Sequence, residues 1–457
     1  MMTLTTANNA MNGRLMGTID DHFASVQFDS RKVKKNDLFF AIRGLEKDGH
    51  HYIDSALENG ALAVVMDESG ETQRDALTSN AIVVEDTTAA LGDLARYWRT
   101  QFVVPVVGIT GSNGKTTVSR ILREIFAVAM PGIAPEGSFN NHWGVPMTLL
   151  KLRENDQSAV IEMGMNHPGE LSYLGAIVNP TIGVITNAAA AHLEGLKTVD
   201  GVAVAKGELI QAVEENGWVV LNRDDAFYSL WLDLVGNRKM LTFGLSESAD
   251  VQVSASRAKQ LDLTVEGETT TIDCALLGEH NHLNVAAASA AALCAGMNIK
   301  NIKSGVQNVK AVNGRLEVKP SNKVLTLIDD TYNANPASMR AAINVLTEIN
   351  TGTTLVLGTM GELGKSAAEA HFEIGRLANQ KGVGNLVVFC DNANNAILAK
   401  AYVNGFGVNA VLLTSLNAVS EYFYNALDVQ STVLIKGSRA AQMERVVALL
   451  QQEAYAC

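Results

Sequence analysis

The segment from Gln101 to Thr117, QFVVPVVGITGSNGKTT, constrains the fold more than any other part of the chain. It has the pattern of a short apolar strand, a glycine-containing loop and the start of a helix. Gly111 and Gly114 permit backbone angles that point several N–H groups into one concavity, and Lys115 adds a positive charge beside them. Thr116 offers a hydroxyl group to Mg²⁺. The segment therefore predicts a phosphate-binding loop between a strand and a helix.

The spacing of this loop departs from the common phosphate-loop pattern. That pattern places a glycine five residues before the last glycine, and Ile109 occupies the position here, with Gly108 and Gly111 on either side. The motif is therefore a variant, GxxGKTT. A turn that has this composition by chance is the alternative, but the strand before it and the helix-forming run VSRILREIFAV after it favour nucleotide binding.

Length and charge limit the classes of protein to consider. A chain of 457 residues is too long for one core and indicates several domains. The formal net charge of −12 disfavours a nucleic-acid surface, so the expected partners are small molecules, with positive charge concentrated around Lys115. No motif marks the oligomeric state, and we expect a monomer.

The sequence also predicts a cytoplasmic location. The N-terminus lacks the basic start and apolar core of an export signal, and no apolar stretch is long enough to span a membrane. The cysteines lie far apart, without metal-ligand or redox spacing, at Cys274, Cys294, Cys390 and Cys457.

The pattern of strands and helices predicts an α/β protein of three domains. Residues 1–85 form a small mixed domain, and Asp86 caps a helix that leads to the phosphate-loop strand. Residues 86–311 alternate strands and helices, which predicts a central parallel-sheet ATPase domain with an antiparallel annex after Asp250 and a long helix from His282. Residues 312–457 form a fresh strand and helix series, a Rossmann-like domain without the GxGxxG dinucleotide motif.

Three polar residues follow or interrupt apolar elements of the central domain. Glu162 ends the strand SAVIEMG, so it faces the same crevice as the phosphate loop and is able to ligate Mg²⁺; a paired strand-end carboxylate is the alternative. His192 follows the next strand, either as a ligand or as a loop residue. Lys206 lies among small apolar neighbours on a helix, where a lysine is costly unless it is modified, paired or extended to solvent.

Polar runs mark further candidate positions after residue 277. GEHNHLN places amide side chains before the long helix, where they either read a base edge or cap the helix. After the first strands of the third domain, polar residues form either an elaborate turn or a site. The candidates are His280, Asn281, Asn284, Arg315, Asp329, Asp330, Tyr332, Asn333, Asn335, Arg340, Lys436 and Arg439.

Taken together these segments resemble the Mur ligase family, in the right order over nearly the whole chain. The segments EGSFNNHWGVPMTLL, DDTYNANPASM and LGTMGELG, with His371 beyond the last, are similar to the members that add D-alanyl-D-alanine. The DNPR motif, common in the sister enzymes that add the third amino acid, is absent. Peptidoglycan-precursor synthesis is the implied process.

The resemblance implies an ATP-dependent amide-bond ligase. ATP phosphorylates the terminal carboxylate of UDP-N-acetylmuramoyl tripeptide, and the amine of D-alanyl-D-alanine attacks the acyl phosphate to give the pentapeptide, ADP and phosphate. Two Mg²⁺ ions are expected to assist by neutralising charge. No motif marks whether the tripeptide ends in diaminopimelate or lysine.

The resemblance also assigns roles to individual residues. Glu162 and Thr116 match metal positions, His192 matches the histidine of a second metal, and Lys206 matches a lysine that is carbamylated in most of the family; with Lys115 they form the expected catalytic group. The expected ATP-binding residues are Gly111, Ser112, Asn113, Gly114, Lys115, Thr116, Thr117, Asn281, Arg315, Asp330 and Tyr332. The expected substrate-binding residues are Ser30, Arg31, Asp48, Gly49, His50, Asn140, Asn141, Asn333 and Asn335.

Two departures from the family pattern stand out. Ala189 and Ala190 replace a frequent glycine and proline beside His192, and Thr359 replaces a frequent aspartate. The alternatives are another Mur-type ligase, a ligase like folylpolyglutamate synthase, which shares the GxxGKTT loop, or a phosphate-loop ATPase that drives a partner. The DSR segment before the ATPase domain favours a UDP-sugar substrate over a folate.

Overall fold

The computed structural model describes residues 1–17, 20–44, 46–72, 80–135, 137, 139–257, 259–321, 324–349, 352–425 and 431–451. It contains three sheets with helices packed against them. Within these ranges no helix combines the length and apolar character needed to cross a bilayer. Cys274, Cys294 and Cys390 are free thiols, and Cys457 lies outside the described residues.

The first sheet has the strand order β1-β5-β4-β3-β2, with β1 antiparallel and the rest parallel. Its strands are β1 (Arg14–Met16), β2 (Val26–Gln27), β3 (Leu38–Phe40), β4 (Ala63–Asp67) and β5 (Ala81–Val84). The helices of this region are α1 (Leu4–Ala10), α2 (Ile53–Glu58), α3 (Glu68–Thr72) and α4 (Thr87–Arg99), with 3₁₀ turns at Ser30–Lys32 and Gly49–Tyr52. The predicted cap is confirmed, because the Asp86 carboxylate accepts the N–H of Ala89 at the start of α4.

The second sheet has the order β13-β12-β11-β10-β9-β8-β6-β7. Its strands are β6 (Val106–Thr110), β7 (Ala159–Glu162), β8 (Ile182–Ile185), β9 (Trp218–Asn222), β10 (Lys239–Gly244), β11 (Val251–Arg257), β12 (Gln260–Val265) and β13 (Glu268–Asp273). Its helices are α5 (Lys115–Ala129), α6 (Gly144–Leu149), α7 (Glu170–Val178), α8 (Leu193–Leu196), α9 (Val199–Ala212), α10 (Tyr228–Val235), α11 (Glu279–Cys294) and α12 (Ile299–Gln307).

Two details of the second sheet refine the prediction. The annex is antiparallel at β11-β12-β13, as predicted, but β11 first pairs parallel with β10 and so extends the main sheet. The predicted helix start at His282 was wrong, because α11 begins at Glu279. His280 and Asn281 lie inside the first turn of this helix. The prediction placed the start too late because the polar run GEHNHLN lacks the apolar periodicity that marks a helix.

The third sheet has the order β14-β15-β19-β16-β17-β18 and is parallel except for β14. Its strands are β14 (Glu317–Lys319), β15 (Thr326–Asp330), β16 (Thr353–Leu357), β17 (Asn385–Phe389), β18 (Ala410–Leu413) and β19 (Thr432–Lys436). The helices are α13 (Pro336–Thr347), α14 (Ala367–Gln380), α15 (Ala396–Phe406), α16 (Leu416–Asn425) and α17 (Glu444–Gln451), with 3₁₀ turns at Gly364–Ser366, Ala393–Asn395 and Arg439–Ala441. All six strands predicted for this domain are present.

Helices cover both faces of the parallel parts of the second and third sheets, which explains why strands such as β6 and β16 are apolar on both sides. Val107 and Ile109 of β6 pack in one core with α5, α11 and α12. The opposite face packs against α7 and α9, in a core that continues through Leu91 and Leu94 of α4 to Val65 of the first sheet. The first two sheets therefore share an apolar core, whereas the third sheet has its own two cores.

Candidate active site

A cleft of about 570 Å³ lies where strand ends of the second and third sheets meet. The phosphate loop follows β6, Glu162 ends β7, Asp330 ends β15 and Lys436 ends β19. Ligands of open parallel sheets bind at the carboxyl ends of the strands, which is where all four features lie. The predicted residues on its wall are Ser112, Asn113, Gly114, Lys115, Thr116, Thr117, Asn140, Asn141, Glu162, His192, His280, Asn281, Asn284, Arg315, Asp330, Tyr332, Asn333, Asn335 and Lys436.

The glycines of the phosphate loop are required by their surroundings. Gly114 has φ +87°, and a Cβ atom there would lie 2.3 Å from Oδ1 of Asn284. At Gly111 a Cβ atom would lie 1.8 Å from the Thr186 hydroxyl. Neither position has room for a side chain, so the loop approaches α11 and the end of β8 with its bare backbone.

Lys115 folds back onto this loop. Its Nζ donates to the Gly111 carbonyl at 2.6 Å. Burial lowers the pKa of Lys115 and the Arg315 charge lowers it further, against the opposing effect of Glu162. Arg315 adds a second positive charge beside Lys115, in agreement with the predicted concentration of positive charge there.

Asn187, which follows β8, holds the phosphate loop in shape. Its carbonyl accepts the Ser112 N–H at 3.0 Å, its Oδ1 accepts the Asn113 N–H at 3.0 Å and its Nδ2 donates to the Asn113 carbonyl at 3.1 Å. The sequence analysis missed this residue. The signal that would have found it is its place at the end of the apolar segment TIGVITN, which corresponds to the place of Glu162 at the end of its own strand.

Glu162 is buried with one carboxylate oxygen engaged and one free. Oε1 accepts from Nδ2 of Asn140 at 2.7 Å, whereas Oε2 has no hydrogen-bond partner among the residues described. A buried unpartnered carboxylate oxygen is costly without a cation. This residue and the Thr116 hydroxyl, both on the cleft wall, supply the oxygen donors that Mg²⁺ prefers. The residues present therefore fit a magnesium ion, although the described part of the chain holds no cluster of three acidic, histidine or cysteine ligands.

Lys206 is 2% exposed on α9 and has no hydrogen-bond or ion-pair partner among the described residues. Burial lowers its pKa well below the ordinary value, and the Lys115 charge lowers it further. Both effects disfavour the charged form of its amine. Because the residue is almost fully buried, little of its side chain reaches solvent, which disfavours the alternative of an amine extended to solvent.

His192 contacts the third domain. Its Nδ1 lies 2.7 Å from Oε2 of Glu362, within ion-pair distance but without hydrogen-bond geometry. The His192 charge and hydrogen-bonding capacity lower the pKa of Glu362 against its partial burial. Glu362 was not predicted as a site residue, although it lies in the segment LGTMGELG that carries the family resemblance. Its contact with His192 depends on how the two domains meet.

The side-chain amide of Asn281 bonds groups at the start of α11. Its Nδ2 donates to the Leu277 carbonyl at 2.7 Å, and its Oδ1 accepts from Nδ2 of Asn284 at 2.9 Å. His280 is enclosed nearby, and burial, with the Lys436 and His282 charges, lowers its pKa to about 4. This wall of the cleft is therefore neutral and polar, and Asn284 packs directly against the phosphate loop.

The third domain brings cations to the phosphate loop. Nη2 of Arg315 donates to the Thr116 hydroxyl at 3.1 Å, and its guanidinium lies 4.3 Å from the centre of the Tyr332 ring. The Arg315 Nε is buried without a partner in the described structure. Asp330 accepts from Nζ of Lys436 at 2.7 Å; burial raises its pKa, and Lys436 opposes this effect.

Asn333 and Asn335 have different roles in the loop after β15. The Asn333 carbonyl accepts from Lys436 at 3.0 Å. Asn335 caps α13 through Ser338, and its Nδ2 also donates to Oδ1 of Asn113 at 2.8 Å. The polar run is thus both an elaborate turn and part of the cleft, which were the two alternatives from the sequence.

The first-domain residues lie away from this cleft. Arg31 pairs with Asp29 in the turn that begins at Ser30. Asp48 accepts from the N–H of His50 at 3.0 Å and lies 2.6 Å from its Nδ1. A Cβ atom on Gly49 would lie 2.6 Å from the Ile42 nitrogen. These predicted residues lie in or directly before two 3₁₀ turns, and none of them lines the cleft.

Known proteins match this chain over its whole length. The sequence models that match are Mur ligase family, catalytic domain (residues 22–99), Mur ligase middle domain (109–292) and Mur ligase, glutamate ligase domain (314–439). The UDP-N-acetylmuramoyl-tripeptide--D-alanyl-D-alanine ligase of Escherichia coli is 34% identical, covering 99% of this chain and 98% of its own.

Solved structures agree with the sequence relatives. A crystal structure of MurF from Acinetobacter baumannii is 29% identical with a TM-score of 0.91, covering 99% of each chain. MurF ligase from Thermotoga maritima in complex with ADP is 27% identical with a TM-score of 0.82, covering 93% of this chain and 97% of that one. The match in order, length and fold shows that this chain belongs to the Mur ligase family.

Proposed function

We propose that the chain joins D-alanyl-D-alanine to UDP-N-acetylmuramoyl tripeptide, with ATP as co-substrate. The relatives that it matches over full length carry this activity in their names. The observation that carries the proposal is the cleft itself. It combines the phosphate loop, a buried Glu162 carboxylate oxygen that has no partner among the described residues, and cationic side chains of the third domain.

The chemistry has two steps. A carboxylate oxygen of the tripeptide attacks the γ-phosphorus of ATP, forming an O–P bond as the bond to ADP breaks. The dipeptide amine then attacks the acyl carbon, a tetrahedral intermediate forms, and phosphate leaves as the amide is made and the amine loses a proton to solvent. Lys115 and Arg315 supply positive charge where negative charge develops, which is the main need of such transfers.

Thr116 and Glu162 would hold one Mg²⁺ ion, and His192 with carbamylated Lys206 would hold a second. Carbamylation requires a neutral amine, and the enclosed, unpaired Lys206 fits that requirement. When bound, these ions would neutralise phosphate charge and polarise the acyl group that the amine attacks.

The remaining residues of the cleft would bind nucleotide and substrate. Asp330 and Tyr332 lie on the third-domain wall, where we assign ribose and adenine contacts, with Asn281 opposite. Asn140, Asn141, Asn333 and Asn335 would line the peptide path. Ser30, Arg31, Asp48, Gly49 and His50 would bind the UDP group in a first domain of residues 1–85, followed by domains of residues 86–311 and 312–457. We propose a cytoplasmic monomer.

The test is phosphate release by purified protein. We expect rapid release only when ATP, UDP-muramoyl tripeptide and D-alanyl-D-alanine are all present. Rapid hydrolysis of ATP alone would favour a partner-driving ATPase. Activity with a folate and glutamate in place of these substrates would favour a folylpolyglutamate synthase-like ligase.

A further inference from the structure

Asn187 holds the phosphate loop, but it lies in a segment that has few means of fixing its own shape. Residues 186–191 belong to neither a helix nor a strand, and the four residues after Asn187 are alanines, which carry no polar side chain. His192 follows them with φ +55°, in the left-handed region. The position of Asn187 therefore depends on contacts from other parts of the chain.

Two of these contacts come from the end of β9. Nδ2 of Asn222 donates to the Thr186 carbonyl at 3.1 Å, in a buried hydrogen bond. Oδ2 of Asp225 accepts the Ala188 N–H at 2.9 Å. The chain after β9 thus bonds both the residue before Asn187 and the residue after it.

Asp225 is a half-buried carboxylate that binds backbone rather than a cation. Its Oδ1 accepts the Phe227 N–H at 2.9 Å, next to the bond that its Oδ2 accepts from Ala188. Burial raises the pKa of Asp225, and these two hydrogen bonds oppose that effect. Among the described residues no cation forms an ion pair with it. The two backbone groups therefore account for its place in the fold.

The contacts continue from this segment into the phosphate loop. The Thr186 hydroxyl donates to the Asn113 carbonyl at 2.5 Å, beside the bonds that Asn187 makes to Ser112 and Asn113. The Ala189 N–H donates to Oγ of Ser112 at 2.9 Å. A continuous set of hydrogen bonds therefore links the end of β9 to the loop that would hold the ATP phosphates.

We propose that Asp225, together with Asn222, positions Asn187 so that the phosphate loop keeps the shape that binds nucleotide. Asp225 does not line the cleft, so it acts through Asn187 and not on the substrate. This inference rests on the proposed function only in taking ATP as the ligand of the loop.

The test is calorimetric titration of the protein with a non-hydrolysable ATP analogue and Mg²⁺. Asp225→Ala should weaken binding about tenfold, at the lower end of the range for residues that orient the ligands of a site. Asp225→Asn keeps one acceptor oxygen and should lose less. In an Asn187→Ala background, Asp225→Ala should weaken binding less than about threefold, because the side-chain contacts that it supports are already gone.

Asp224→Ala is the matched control. Asp224 is the neighbouring carboxylate, and it also accepts two backbone N–H groups, from Leu245 at 2.6 Å and from Ser246 at 3.3 Å. These groups follow β10 and not β8, and Asp224 does not line the cleft. Urea unfolding should show that both alanine variants lose stability, whereas only Asp225→Ala should lose nucleotide affinity.

Wild-type affinity in Asp225→Ala, or an equal loss in Asp224→Ala, would overturn the positioning role. A tenfold loss that persists in the Asn187→Ala background would also overturn it, because independent sites give additive effects. The titrations need neither tripeptide nor dipeptide. If they give the expected results while the protein forms no amide, the proposed function fails and the positioning role stands. Wild-type protein that binds no ATP analogue would overturn both.

Discussion

At the scale of single residues, Lys206 is the least expected side chain in the molecule. A lysine amine enclosed in a protein without a partner loses its hydration, and a second lysine nearby makes protonation still less favourable. Glu162 has the opposite problem, because its buried Oε2 accepts no hydrogen bond from the described residues. Carbon dioxide would convert the Lys206 amine into an anionic carbamate, and metal ions would give the Glu162 oxygen a cationic partner. The two side chains therefore fit a site that carbon dioxide and metal ions complete.

Lys206→Ala should therefore reduce ligase activity by at least about 100-fold, because it removes both the carbamate and the charge that it carries. Short carboxylic acids added to the variant should restore part of the activity. Labelled bicarbonate should give a carbamate resonance in wild-type protein that is missing in the variant.

Lys197→Ala is the control. Lys197 is an exposed lysine two residues before the start of the same helix, and its amine donates to the Glu194 carbonyl. It should keep both the activity and the resonance. Full activity of Lys206→Ala would refute the carbamate assignment.

Asp48 of the first domain is a second residue whose surroundings change its pKa. Burial alone would raise its pKa, but hydrogen bonds from the backbone and ring of His50 and from Arg43 outweigh that effect and lower the pKa to about 2. A carboxylate with a lowered pKa stabilises the fold above its unfolded pKa, and the contribution is lost as pH falls through the folded value.

Asp48→Asn should therefore lower the free energy of unfolding by about 1 kcal/mol at neutral pH, after allowance for solvent screening. The difference from wild type should shrink as pH falls from about 4 toward about 2. Urea unfolding across this range, followed in both proteins, measures it. A difference that is constant down to the lowest pH would exclude an ionised Asp48 as its source.

At the scale of elements, the phosphate loop depends on glycine for two separable reasons. Gly114 has positive φ, and it also has no room for a side chain beside Asn284. Gly169, at the start of α7, has the same φ of +87° but nothing within 4 Å of an added Cβ atom. Substitution of both glycines by alanine therefore distinguishes two effects: the strain of a positive φ, which both variants have, and the steric clash with Asn284, which only the Gly114 variant has.

Gly114→Ala should weaken binding of a non-hydrolysable ATP analogue by at least about tenfold, because the loop must move away from α11. Gly169→Ala should bear a similar backbone strain without loss of nucleotide affinity. Titration calorimetry on both variants makes the comparison. Equal affinities for Gly114→Ala and wild type would show that the loop does not need its observed shape.

Sequence patterns predicted the helices and strands of this protein well where the signal lies in neighbouring residues, such as an apolar run or a capping residue. The strand end at Glu162 could be placed beside the phosphate loop because parallel strands of one sheet share a carboxyl edge. Asp330 ends a strand of the third sheet, and only the family resemblance predicted that it lies near the nucleotide. The start of α11 was misplaced because its first turn is polar. The His192–Glu362 contact could not be predicted, since it depends on the packing of two domains whose arrangement no local pattern encodes.

At the scale of the whole molecule, the domains are joined in different ways. The first two sheets share an apolar core through α4. By contrast, the phosphate loop meets the third domain through polar pairs, Arg315 with Thr116 and Asn335 with Asn113. Such contacts are weak and exchangeable with water, so the third domain is the part expected to move.

We therefore expect the protein to become more compact when an ATP analogue and UDP-muramoyl tripeptide bind together. Small-angle scattering should show a smaller radius of gyration than for the free protein. An unchanged radius of gyration with both ligands bound would count against closure of the third domain over the nucleotide.

The central claim is that the cleft makes an amide through an acyl phosphate. Tripeptide labelled with a heavy oxygen isotope in its terminal carboxylate tests this directly, because the oxygen that attacks ATP leaves with the phosphate. The account predicts one labelled oxygen in the released phosphate for each amide formed. Unlabelled phosphate, released while the amide is made, would contradict it.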